Sequence, residues 1–147
     1  MSRAGYSETP LWKKLGLSEG RRLLTRNAPP GWALGETPEW ITVAELPSEE
    51  TQPQDRSEEV VLAFFGALAE LREALPALSC RIFPGAALWV AWPRRAAGHD
   101  SDIRDQDIRD VALPIGLVDV KVAAIDEDWS GLRLVWRKEL RAGDPPG

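Results

Sequence analysis

The chain has 147 residues, a formal net charge of −5, 28% charged residues and 44% apolar ones. That is one domain with enough residues for a full core, and its acidic balance argues against a general nucleic-acid binder. No apolar run approaches the roughly 20 residues of a membrane span, and 1–6 hold no signal-peptide core, so a cytoplasmic protein is expected. The single cysteine, Cys80, excludes an internal disulfide, and with one histidine, His99, it cannot build a Cys/His zinc cage. No metal and no cofactor is expected.

Thr9-Pro10-Leu11-Trp12-Lys13-Lys14-Leu15-Gly16 reads as a short helix, with Thr9 as cap, Pro10 in the first turn and Gly16 at its end. Arg21 to Asn27 is a weak first strand. Ala28-Pro29-Pro30-Gly31-Trp32 is a rigid loop, because two prolines remove amide donors and fix φ. Trp40 to Leu46 is the second strand, ended by Pro47. Residues 48–59, acidic and nearly without apolar side chains, form an expected mobile loop.

Val60-Val61-Leu62-Ala63-Phe64-Phe65 is wholly apolar, the mark of a strand buried on both faces. From Gly66 a helix follows, with Leu68, Leu71, Leu75 and Leu78 on one stripe and Pro76 expected to end or kink it. Phe83-Pro84-Gly85 then turns into a second apolar strand, Ala87 to Trp92, stopped by Pro93 and followed by Arg94 and Arg95. Asp102 is expected to cap a helix that Pro114-Ile115-Gly116 closes. Val118 to Ile125 and Leu132 to Trp136 form an antiparallel terminal hairpin across a tight 126–131 connection. Within it Lys121 is expected to pair with Asp119, two positions earlier on the same side. Residues 1–140 make one α/β domain, and 141–147 a frayed tail. Strands alternating with helices give a three-layer, Rossmann-like architecture: a mostly parallel sheet with a C-terminal antiparallel hairpin.

Two families share these patterns. Leu75 to Val90 resembles the helix, "leucine-x-proline-glycine-glycine" turn and strand of class I S-adenosylmethionine-dependent methyltransferases, with Ala86 in place of the second glycine. The closing hairpin resembles that family's last two strands. Nearly end to end, the chain also resembles a bacterial family catalogued as domain of unknown function 3052. The shared stretches are Gly5 to Gly16, Leu88 to Arg94, Gly116 to Val122, and Asp126-Glu127 with Trp129 to Leu132.

The methyltransferase resemblance implies a cofactor site after the first strand, where glycines let the backbone approach the ligand. Here that position reads Arg26-Asn27-Ala28-Pro29-Pro30-Gly31-Trp32, with a single glycine and a bulky indole. Asn27, Gly31 and Glu45 are then vestiges of a degenerate cofactor site, Glu45 standing where the family holds the ribose hydroxyls. The lead expectation is a non-catalytic binding or interaction domain. A divergent methyltransferase and a structural subunit of a larger assembly are the rivals.

In parallel sheets, ligands sit outside the carboxyl ends of the strands. That rule gathers Trp92, Arg94, Arg95, Asp126, Trp129 and Ser130 on one rim, suited to a small anionic ligand or a protein partner. The competing reading has the arginines paired with Asp126-Glu127-Asp128 and the tryptophans packed beneath the turn. His99 and Cys80 have no sequence-placed catalytic partner.

Overall fold

The computed structural model describes residues 9–46 and 59–143, the side chain of Ala96 excepted. Residues 48–58 of the expected loop, Gly5 to Glu8 of the shared opening and residues 144–147 of the tail lie outside them. A one-turn helix, α1 (Leu11–Lys14), leads into strands β1 (Arg22–Arg26), β2 (Thr42–Glu45) and β3 (Glu59–Phe64). Then come α2 (Leu68–Ile82), β4 (Ala87–Pro93), α3 (Asp105–Ile115), β5 (Leu117–Ala124) and β6 (Trp129–Trp136). They form one six-stranded sheet of order β2-β1-β3-β4-β6-β5. β2, β1, β3 and β4 run parallel, while β6 is antiparallel to both β4 and β5. β6 thus inserts between β4 and β5, which brings the C-terminal ends of those two parallel strands to one edge.

Period-two alternation divides the central strands between two cores. Val61, Ala63, Phe65, Leu88, Val90 and Trp92 face α2 and α3, where Leu71, Leu75, Leu78, Ile108 and Ala112 cover them. Val60, Leu62, Phe64, Trp89 and Ala91 face the other way, toward Leu15, Leu17 and Leu34. No helix interrupts 27–41, so that second layer consists of α1 and the β1–β2 loop. β3 is buried throughout and β4 up to Pro93, as their unbroken apolar runs require.

Four local expectations are corrected. α2 continues through Pro76 to Ile82, because the apolar stripe of Leu71, Leu75, Leu78 and Ile82 is buried and Pro76 lies on the exposed side. Burial of that stripe outweighs one missing backbone hydrogen bond. Asp102 does not cap α3; its Oδ1 accepts the Leu68 N–H at 2.9 Å and so caps α2 across the fold. At α3 the Asp107 carboxylate takes that role, accepting the Arg104 N–H at 2.9 Å. Glu59, expected in the loop, opens β3 and is buried.

The fourth correction is the Asp119–Lys121 pair. A bulge between these residues breaks the same-side relation, and Lys121 is exposed. Asp119 Oδ2 instead accepts from Arg109 Nε at 2.8 Å, and this hydrogen bond holds the carboxyl below its ordinary 3.8. Stability from this contact is therefore complete above the unfolded value and disappears as pH falls through the lowered native one. Asp119→Asn is expected to cost about 0.5–1 kcal/mol near neutrality, the range for a partly exposed pair. In denaturant titrations the difference from wild type should shrink progressively as pH falls below the ordinary 3.8. A pH-independent difference would assign the loss to packing.

Candidate functional site

On either side of β1 the chain order reverses, with β2 on one flank and β3 on the other. The ends of β1 and β3 therefore form the topological switch point, the place where an open α/β sheet offers its ligand crevice. Here the chain's own side chains pack on both faces of that position, and on one of them Arg26 also borders a groove. On the α1 face, Phe64 ends β3 and packs edge-on between two indoles, Trp32 at 5.3 Å and Trp129 at 5.0 Å between ring centroids. On the α2 face, the Arg26 guanidinium lies 4.8 Å from the centroid of the Phe65 ring. Trp32 arrives from the proline loop, whose turn is closed by the Trp32 N–H donating to the Pro29 carbonyl at 2.9 Å. Asn27 takes a left-handed φ of 56°, a conformation its short amide side chain tolerates.

Two openings flank this plug. Among the described residues, a groove of 760 Å³ runs between α2 and the ends of β1 and β2, with Asn27, Glu45, Glu70, Glu73 and Arg81 in its walls. Asn27 and Glu45 thus line one groove, and Gly31 is not among its lining residues. The second opening, a basin of 850 Å³, lies past the ends of β3 and β4 and is lined by Gly66, Ala67, Arg95 and Gly98 to Asp102. At its edge His99 Nε2 stands 2.9 Å from Asp128 Oδ1.

These features sit on a frame that other solved structures share. No family model and no curated protein matches the chain. A protein of the NADB-Rossmann superfamily from Streptococcus agalactiae aligns over 90% of this chain and 70% of its own, with a TM-score of 0.53 at 10% identity. A SAM-dependent methyltransferase from Aquifex aeolicus aligns over 84% and 86%, with a TM-score of 0.50 at 13% identity. The fold is Rossmann-like and methyltransferase-like.

Within that fold the rim residues are gathered as the sheet order requires, and most are committed to structure. Arg94 Nη1 donates to the carbonyls of Asp126 and Glu127 at 3.3 and 3.2 Å, so it holds the backbone of the turn. The Asp126 carboxylate closes the same turn by accepting the N–H groups of Asp128 and Trp129 at 2.8 and 2.9 Å. Trp92 is buried against the α2–α3 layer, Trp129 packs on Phe64, and Ser130 pairs with Trp92 in the ladder. Of the six, Arg95 lines the basin, with its Nη2 on the Ser101 carbonyl at 2.7 Å. Among the described residues no three His, Cys, Asp or Glu side chains cluster as a metal site, and no helix is long and apolar enough to cross a membrane.

Sequence reasoning missed Arg26, Phe64 and Phe65 as occupants of the switch point. The available signal was a pair of aromatics ending a fully buried strand immediately before Gly66.

Proposed function

We propose that this chain is a binding or interaction domain built on a reduced methyltransferase-like frame, rather than a methyl-transfer enzyme. The observation that carries this reading is the packing at the switch point, where Trp32, Phe64 and Trp129 meet edge-on on one face and Arg26 lies over the Phe65 ring on the other. Pro29 and Pro30 support it, since they supply no N–H groups to a ligand phosphate or carboxylate. The near end-to-end resemblance to the bacterial family of domain of unknown function 3052 belongs to the same reading. So do action in the cytoplasm and the absence of a nucleic-acid partner, the latter supported by the net charge of −5.

Engagement is assigned to the basin beyond β3 and β4. Arg95 and His99 share it with Asp100 and Asp102, a mixed-charge lining that suits a polar protein surface or a zwitterion better than a bare anion. One observation favours the methyltransferase alternative: Asn27 and Glu45, at the ends of β1 and β2, line one groove. The two readings separate in a calorimetric titration of the intact chain with S-adenosylmethionine and S-adenosylhomocysteine. No saturable heat up to about 1 mM is expected. Micromolar binding of either would overturn the proposal in favour of the enzyme.

A further inference from the structure

At the opposite edge of the sheet, where β4 begins and β6 ends, a smaller pocket of 280 Å³ opens beside the β5–β6 hairpin. Its walls are Pro84, Gly85, Ala86, Val120 and Val135, together with Arg133 and Arg141. Both charged lining residues are arginines, and among the described residues no carboxylate lines it. α1 and the β1–β2 loop cover the central strands on this face; Val120 on β5 is half-exposed.

Arg133 enters from the middle of β6, flanked in the ladder by Trp89 on one side and Lys121 on the other. Its guanidinium lies against Gly16, where an added Cβ would stand 3.7 Å from Nη2. Its Nε is buried without a hydrogen-bond partner. Arg141 is anchored through Nε, which donates to the Trp136 carbonyl at 2.9 Å, one of the five N–H donors a guanidinium carries.

Several other guanidiniums of this chain meet oxygen atoms. Arg22 and Arg81 converge on Glu59, Arg109 on Asp105 and Asp119, and Arg94 on two carbonyls. Arg133 has cations around it instead. Lys121 is its ladder neighbour, Arg141 its pocket neighbour, and burial together with the like charge of Arg21 pushes its pKa down. A half-buried cation among cations is costly unless an anion joins it.

We infer that this pocket binds the phosphate of a small phosphomonoester between Arg133 and Arg141. A tetrahedral phosphate offers oxygens to two guanidinium forks at once, whereas a carboxylate is satisfied by one. The volume lies at the low end for ligand pockets. The aliphatic walls of Val120, Val135 and Ala86 suit a body of only a few carbons.

Calorimetric titration of the intact chain at fixed ionic strength tests this, with glycerol 3-phosphate, inorganic phosphate and acetate as probes. Glycerol 3-phosphate is expected to bind saturably and more tightly than inorganic phosphate, with acetate inert. Arg133→Met and Arg141→Met should each weaken it about tenfold or more. Ligand-free Arg133→Met should melt no lower than wild type, so that lost binding is not lost folding; if it does melt lower, Arg141→Met decides the matter. Three results would each overturn the assignment: no saturable binding up to about 10 mM, affinity unchanged in the variants, or equal affinity for inorganic phosphate and the monoester.

Discussion

Trp89→Ala is expected to destabilise the chain by about 3–5 kcal/mol, the cost of deleting a large buried aromatic. Trp89 is fully buried in the central strand β4, and its Nε1 donates to the Leu15 carbonyl at 3.0 Å. The side chain therefore fills the core of the second face and ties down the end of α1. Packing around it is tight: a Cβ added at Gly131 would stand 3.1 Å from Trp89 Cε3. Trp89→Phe keeps much of the apolar area and loses the hydrogen bond, so a smaller loss of about 1–2 kcal/mol is expected. Denaturant midpoints measure both. A Trp89→Ala loss under 1 kcal/mol would mean that α1 and the loop contribute little as a layer.

Glu59→Gln is the second large effect, expected at about 3 kcal/mol. The carboxylate is 3% exposed and receives Arg81 Nη2 at 3.0 Å on both oxygens, together with Arg22 from β1. Neutralising it leaves Arg81, whose side chain is 11% exposed, beside an amide. Arg22 is half-exposed and screened by solvent, so most of the loss arises at Arg81. The double variant Glu59→Gln with Arg81→Met should recover part of it, because it removes the buried cation and leaves only the solvent-screened Arg22. A double variant no more stable than the single would locate the loss in strand packing. This contact matters to the site because β3 carries Phe64 and Phe65 to the switch point, and Glu59 fixes its other end.

The sheet was legible in the sequence for a simple reason. A strand covered on both faces must be apolar at every position, and 60–65 and 87–92 are the two stretches that are. The leucine stripe of α2 was legible from its spacing, but its continuation past Pro76 was not. That depends on which side of the helix the proline falls, and on burial two turns further on. Likewise Asp102 carries the signature of a helix cap without revealing which helix it caps, and its partner Leu68 lies 34 residues earlier.

The candidate site was legible as an edge and not as a set of contacts. Composition showed stiff, bulky residues after β1, yet the partner of Trp32 is set by how far the proline loop folds back over β3. Arg94 was expected to meet carboxylates or a ligand. It meets carbonyls, because the 126–128 turn presents its backbone to the end of β4. Arg133 was not singled out, since nothing in Leu132-Arg133-Leu134 tells that Gly16 closes over it.

The central claim is that the chain's own aromatic residues pack together at the switch point of the sheet and leave no nucleoside site beside Trp32. Its most direct test is fluorine NMR of the intact chain carrying fluorotryptophan, with the Trp32 signal assigned through Trp32→Phe. A single resonance, shielded from solvent and unmoved by adenosine or S-adenosylmethionine, is the result the account predicts. A solvent-exposed signal that shifts saturably with either compound would contradict it.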